Sequence, residues 1–125
     1  MEYLRLKKCL KCGALITVLN DCNCEEGGLT CCSSLMEDVK ANSIDAAVEK
    51  HVPEFEVRDG KLYITVNHVM DDDHFIEWIL VKTSNTESKI FLNPGDIPQF
   101  VVTYEKGSLI YAYCNKHGLW EKKVD

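Results

Sequence analysis

Cysteine and histidine are sorted along this chain, and that sorting limits what it can fold into more than any other feature. Six of its seven cysteines fall between Cys9 and Cys32, whereas three of its four histidines and the last cysteine, Cys114, lie beyond residue 67. The composition shifts near residues 36 to 42, so the chain reads as a first segment, 1–37, and a body, 38–125. A segment below about 40 residues rarely buries enough apolar surface to fold alone, and needs a metal, disulfides or a partner chain. The cysteine count is odd, and Met1 to Lys8 carries no apolar stretch of signal-peptide length. Both points favour metal ligation over disulfides and an expected cytoplasmic location.

In the first segment, Cys9-Leu10-Lys11-Cys12 is followed after eighteen residues by the adjacent pair Cys31-Cys32. A Cys-x-x-Cys turn lets two thiolates reach one ion, and four thiolates make a tetrahedral site for iron or zinc. Cys22 and Cys24 offer other ways of choosing four. They lie in a stretch rich in Asn, Asp, Glu and Gly that reads as a loop, and are expected to stay unligated, with alternative ligation or redox sensing as their other roles.

The body reads as β-structure. Leu62, Ile64, Val66 and His68 share one parity, the period of a half-buried strand, and Phe75 to Val81 is almost continuously apolar, as in a strand covered on both faces. Asp71-Asp72-Asp73 makes the turn between them. Asn93-Pro94-Gly95-Asp96 is a second turn, and Gln99–Tyr104 and Ser108–Tyr113 read as strands joined across Glu105-Lys106-Gly107. Only Met36–Val48 could be helical, and Glu121-Lys122-Lys123 reads as solvated tail. Closely spaced short strands point to a β-sandwich.

Two partner classes fall away on composition. A net charge of −6 with dispersed basic residues does not suit nucleic acid, and no apolar run approaches the roughly 20 residues of a membrane span.

The second constellation is His51, His68, His74, Cys114 and His117, which uses every histidine in the chain. A lone histidine on an apolar strand face is more often a hydrogen-bonded core residue than a ligand. Cys114-Asn115-Lys116-His117 changes that balance, because a thiolate and an imidazole three residues apart in one loop can reach one ion. If all five bind, the centre exceeds the four ligands of a closed zinc site, so iron fits better. Five-coordinate iron leaves one position open, toward which a thiolate pushes electron density, as in thiolate-ligated haem. Such chemistry is redox rather than hydrolytic.

Together with Glu49-Lys50-His51-Val52-Pro53, Ile76-Glu77-Trp78, Phe91-Leu92-Asn93-Pro94-Gly95-Asp96 and Tyr113 to Trp120, these residues resemble the desulfoferrodoxin family across essentially the whole chain. The resemblance implies a desulforedoxin-like domain with a rubredoxin-type iron on Cys9, Cys12, Cys31 and Cys32. An immunoglobulin-like, neelaredoxin-like β-sandwich carrying the catalytic iron would follow it. It further implies His51, His68, His74 and His117 as equatorial ligands and Cys114 as the axial thiolate. Lys50 would attract and help protonate the substrate, and Glu49 would bind the oxidised iron after product leaves. The implied reaction is one-electron reduction of superoxide to hydrogen peroxide, as detoxification in an anaerobe or microaerophile. Rubredoxin would be the electron donor to a homodimer. Two positions and one spacing depart from the pattern: Val69 where proline is frequent, Ser33 where glycine is usual, and a longer Cys12 to Cys31 interval. They leave the first site open between iron and zinc and allow a different ligand set there, while the ligands of the second remain intact.

Two other functions compete with superoxide reduction. One is an electron carrier or redox sensor working through the four-cysteine site, with the sandwich as a docking module. The other is a scaffold with structural zinc at both sites.

Overall fold

The computed structural model describes residues 3–44 and 46–125, and the side chain of Glu49 also lies outside the described set. The chain divides into two compact units, Tyr3–Lys40 and Ala41–Asp125.

The first unit is built from five short strands: β1 (Leu6–Lys8), β2 (Leu15–Thr17), β3 (Thr30–Cys31), β4 (Ser34–Leu35) and β5 (Glu37–Asp38). The order β2-β1-β5 makes one antiparallel sheet, and β3 and β4 form a separate hairpin. Few large apolar side chains are buried here, chiefly Leu4, Leu6 and Val18 beside Cys9. A core so small does not carry a fold unaided. The β3–β4 turn places Cys32 and Ser33 at φ +53° and +60°, the left-handed region that favours glycine. Ser33 therefore holds a conformation in which glycine has no Cβ penalty.

The second unit is a two-sheet sandwich. Its strands are β6 (Glu54–Arg58), β7 (Lys61–Thr65), β8 (Ile76–Lys82), β9 (Glu87–Phe91), β10 (Gln99–Thr103), β11 (Leu109–Cys114) and β12 (Gly118–Lys123). One sheet runs β10-β7-β6 and the other β12-β11-β8-β9, all pairs antiparallel. Leu62, Ile64 and Val66 face a core completed by Ile76, Ile79 and Val81 of β8 and by Ile110, Ala112 and Cys114 of β11. The period-2 parity of β7 and the continuous apolar run of β8 appear as expected.

One sequence expectation fails and two are refined. Among its described residues Met36–Val48 forms no α-helix: it holds β5, turns, and the start of a 3₁₀ turn at Val48–Lys50. Polar tertiary bonds outweigh its weak apolar periodicity. Asn42, at φ +58°, donates its backbone N–H to Leu119 O (2.9 Å), and its side chain exchanges two bonds with the backbone of Glu121 (2.9 and 3.3 Å). These bonds cover the free edge of β12, as an exposed edge strand requires. Second, β10 and β11 are consecutive but do not pair. β10 joins β7 and β11 joins β8, so Glu105-Lys106-Gly107 crosses between sheets. Third, Glu121-Lys122-Lys123 is the end of β12, in register with Tyr111, Ile110 and Leu109, and leads to the fully buried Val124. Among the described residues no helix is long and apolar enough to cross a membrane.

Candidate metal centres

The second unit brings His51, His68, His74, Cys114 and His117 together, with one ligand atom of each within 4.8 Å of all the others. Four different segments deliver them. His51 ends the 3₁₀ turn, His68 follows β7, His74 closes the turn through the Asp71–His74 bridge, and Cys114 and His117 flank the β11–β12 turn. A register shift between Tyr113 and Cys114 re-aims the end of β11, the usual effect of a bulge, while Cys114 stays fully buried.

The rings form a closed square. His51 meets His68 (centroids 4.7 Å apart), His68 meets His74 (4.6 Å), His74 meets His117 (5.1 Å) and His117 meets His51 (4.9 Å), every pair steeply inclined. Backbone carbonyls set the tautomers. His51 Nδ1 lies 2.6 Å from Ala47 O and His68 Nδ1 lies 2.5 Å from Val69 O. A carbonyl can only accept, so both Nδ1 atoms carry hydrogen and both Nε2 lone pairs face inward. His68 Nε2 stands 3.3 Å from Cys114 Sγ, and His117 presents Nδ1 instead, 3.0 Å from His51 Nε2 and 3.9 Å from Cys114 Sγ.

Two features show that this donor set fits a single ion. Nitrogens bound at about 2.1 Å and at right angles stand about 3.0 Å apart, the separation of His51 Nε2 from His117 Nδ1. His74 Nε2 is buried without any hydrogen-bond partner, an arrangement that costs free energy unless a cation takes the lone pair. Burial holds His68 and His117 below the ordinary histidine value of 6.5, and the neighbouring rings push the same way. For these two rings that favours the neutral form, which ligation requires.

Residues around the ligands fix their positions. Trp120 is buried, stacks on His51 (4.8 Å, 25°) and donates its indole N–H to His117 O at 3.1 Å. Asn115 ties the His117 loop to the His74 turn: its Oδ1 accepts from Phe75 N–H (3.0 Å) and its Nδ2 donates to Asp73 O (3.0 Å). Sequence reasoning gave these two residues no task. Their place inside the segment from Cys114 to Trp120 was the available signal. Lys50 is exposed directly before His51, whereas the expected role of Glu49 falls on a side chain outside the described residues.

In the first unit the sulfurs of Cys9, Cys12, Cys31 and Cys32 also gather within 4.8 Å of one another. Cys12 Sγ lies 3.6 Å from Cys31 Sγ, and Cys31 Sγ 4.0 Å from Cys32 Sγ. Four sulfurs about 2.3 Å from one ion at tetrahedral corners stand roughly 3.8 Å apart, so the set fits. Gly13, at φ +81°, turns the Cys9–Cys12 loop, and Gly13 N–H donates to Cys9 O at 2.8 Å. The backbone N–H of Cys12, aided by that of Lys11, draws the Cys9 thiol down to about 6. Contact with Cys12 and then Cys9 pushes Cys31 up to about 12. Without a cation the cluster cannot hold four negative sulfurs, and a bound metal removes that conflict. Cys22 and Cys24 stay outside this set and touch each other instead, at 2.7 Å.

Fold and donor sets together define a two-centre metalloprotein: a four-sulfur site on a small β unit, and a site of four imidazoles and one thiolate at the end of a β-sandwich. The desulfoferrodoxin profile matches residues 43–123, and the chain belongs to that family. It is 37% identical to the desulfoferrodoxin of Desulfarculus baarsii over 124 residues, covering 96% of both chains. It is 36% identical to the desulfoferrodoxin homolog of Archaeoglobus fulgidus over 125 residues, covering 96% of this chain and 97% of that one. Among solved structures it resembles the superoxide reductase from Treponema pallidum, with a TM-score of 0.67 and 27% identity over 94% of this chain and 98% of the other.

Proposed function

We propose that the protein is a superoxide reductase, catalysing O₂•⁻ + e⁻ + 2 H⁺ → H₂O₂ at the site formed by His51, His68, His74, His117 and Cys114. The inward-facing donor set carries this reading: four imidazole nitrogens and one buried thiol around a point where His74 Nε2 otherwise has no partner. The likeness to a solved superoxide reductase supports it. Iron held by these five residues would supply the one-electron couple, and the buried Cys114 sulfur would make it electron-rich.

The chain's own residues do the rest. Carbonyls of Ala47 and Val69 hold the His51 and His68 rings by their Nδ1 hydrogens, and Trp120 covers one face of His51. Lys50 sits exposed beside His51 and offers an ammonium to an approaching anion. The net charge of −6 opposes approach, but charges beyond a Debye length of about 8 Å are largely screened, so the lysine at the site governs capture. The same ammonium relays a proton to the reduced oxygen species. By the resemblance, Glu49 would bind the oxidised iron after product has left.

By the same resemblance the first unit is the desulforedoxin-like domain, with iron or zinc on Cys9, Cys12, Cys31 and Cys32, and the second is neelaredoxin-like. Rubredoxin as donor, a homodimer and a cytoplasmic setting belong to this proposal. Stopped-flow mixing with reduced rubredoxin tests the donor, and sedimentation velocity the assembly. The activity itself is tested by a superoxide pulse onto the reduced, iron-loaded full chain. One hydrogen peroxide per superoxide, matched by loss of one electron from the protein and no dioxygen, is expected. Dioxygen release in step with superoxide loss, or no oxidation of the iron, overturns the proposal.

A further inference from the structure

Neither metal centre uses Cys22 or Cys24, and both thiols are exposed. They flank Asn23 in the long connection from β2 to β3, and their sulfurs stand 2.7 Å apart. That is roughly 0.65 Å beyond a covalent disulfide and far inside the 3.6 and 4.0 Å between sulfurs of the four-cysteine cluster. The connection is anchored just before the pair. Asp21 accepts from the backbone N–H of Cys22 (2.7 Å) and lies 3.7 Å from Lys7 of β1, which also binds Asp38 of β5 at 2.9 Å.

We propose that Cys22 and Cys24 are a reversible dithiol–disulfide site, oxidised by hydroperoxides, in which the Cys22-Asn23-Cys24 turn holds the two sulfurs ready to join. One thiolate attacks a peroxide oxygen, the O–O bond breaks, and the departing hydroxide takes up the proton that the thiol released, leaving a sulfenic acid and water. The second thiol displaces hydroxide from that sulfur, forming the S–S bond and a second water. Overall, two thiols and H₂O₂ give one disulfide and two H₂O, with each sulfur losing one electron to the peroxide oxygens. Single-residue spacing gives the closed ring less loop-entropy stabilisation than a long loop would, and exposure leaves it open to attack, so thiols reduce it readily. Contact with Cys22 raises the Cys24 thiol above its usual range, and because the thiolate is the attacking form, oxidation is faster as pH rises. The proposal does not rest on superoxide reductase activity: that reaction would produce the oxidant, but any hydroperoxide serves.

The test uses the full chain with both metal sites loaded. Protein is treated with a small excess of hydrogen peroxide, capped with N-ethylmaleimide, and digested with a protease cutting after Asp21 and Glu25. The Cys22-Asn23-Cys24-Glu25 peptide is expected uncapped and lighter by two hydrogens, and doubly capped when dithiothreitol precedes capping. Cys22→Ser should leave Cys24 as a sulfenic acid trapped by dimedone, with the visible absorption of the four-cysteine centre unchanged. Three results overturn the proposal: a doubly capped peptide after peroxide, irreversible sulfinic acid in place of the disulfide, or an altered four-cysteine spectrum in Cys22→Ser, which would make Cys22 a ligand. Because peroxide is added directly, a protein inactive toward superoxide can still pass this test.

Discussion

Asn115→Ala removes a strut that joins two ligand-bearing loops without touching a ligand. The asparagine gives two side-chain hydrogen bonds at 3.0 Å, to Phe75 N–H and Asp73 O, while its own N–H reaches Phe75 O at 3.2 Å. Each side-chain bond contributes about 1 kcal/mol net, and the half-buried Phe75 N–H left unpaired adds desolvation cost that the exposed Asp73 carbonyl escapes by taking water. The expected loss is about 2 kcal/mol in the metal-free protein, or roughly 10 °C in melting temperature for a unit of this size. Both tryptophans, Trp78 and Trp120, lie in the second unit, so denaturant melts followed by tryptophan fluorescence read that unit alone. Metal affinity, measured by chelator competition, should fall about 10- to 100-fold, as when ligand-orienting partners are removed. Asn115→Asp keeps an acceptor for Phe75 N–H but loses the donor to Asp73 O, and should fall between. A stability change under about 0.5 kcal/mol in Asn115→Ala, the range of an ordinary surface substitution, together with unchanged metal affinity, would refute the reasoning.

Other perturbations separate the contributions of charge, sulfur and core. Lys50→Ala should slow superoxide capture about tenfold at low salt and flatten its ionic-strength dependence, while Lys50→Arg restores both; pulse radiolysis at two salt concentrations decides. Cys114→Ser should abolish the sulfur-to-iron visible absorption of the second centre and leave that of the first, which difference spectra will show. The metal-free protein should lose stability as pH falls from about 7 to 5: His68 and His117 lie below 6.5 when folded, so the unfolded chain binds more protons under 6.5. Melting temperatures across that range should therefore drop on acidification, and a flat profile would contradict the burial assigned to these rings. Ile110→Ala, at a fully buried position of β11, should cost about 2–5 kcal/mol in the second unit, measurable in the same fluorescence melts.

What the sequence conveys about this molecule depends on how far apart the interacting residues lie. The parity of Leu62, Ile64 and Val66 is written in neighbouring residues and survives into β7, because alternate side chains of a strand leave on opposite faces. The five-donor set was visible because histidine is scarce: four rings in the whole chain, one of them three residues from Cys114, leave few other places for a nitrogen-rich site. The partnership of β10 and β11 was not visible, since a Gly-containing link of three residues suits a hairpin as well as a crossing between sheets, and only the packing of both sheets on one core decides. The same holds for Met36–Val48, whose fate is settled by bonds from Asn42 to the backbone of Leu119 and Glu121 across the fold. Those bonds also bear on the site. They fasten the free edge of β12, the strand that carries Trp120 and, through it, the stacked ring of His51 and the carbonyl of His117. Asn42 thus fastens β12 while the 3₁₀ turn that follows delivers His51, so both ends of the Asn42–His51 stretch serve the metal centre.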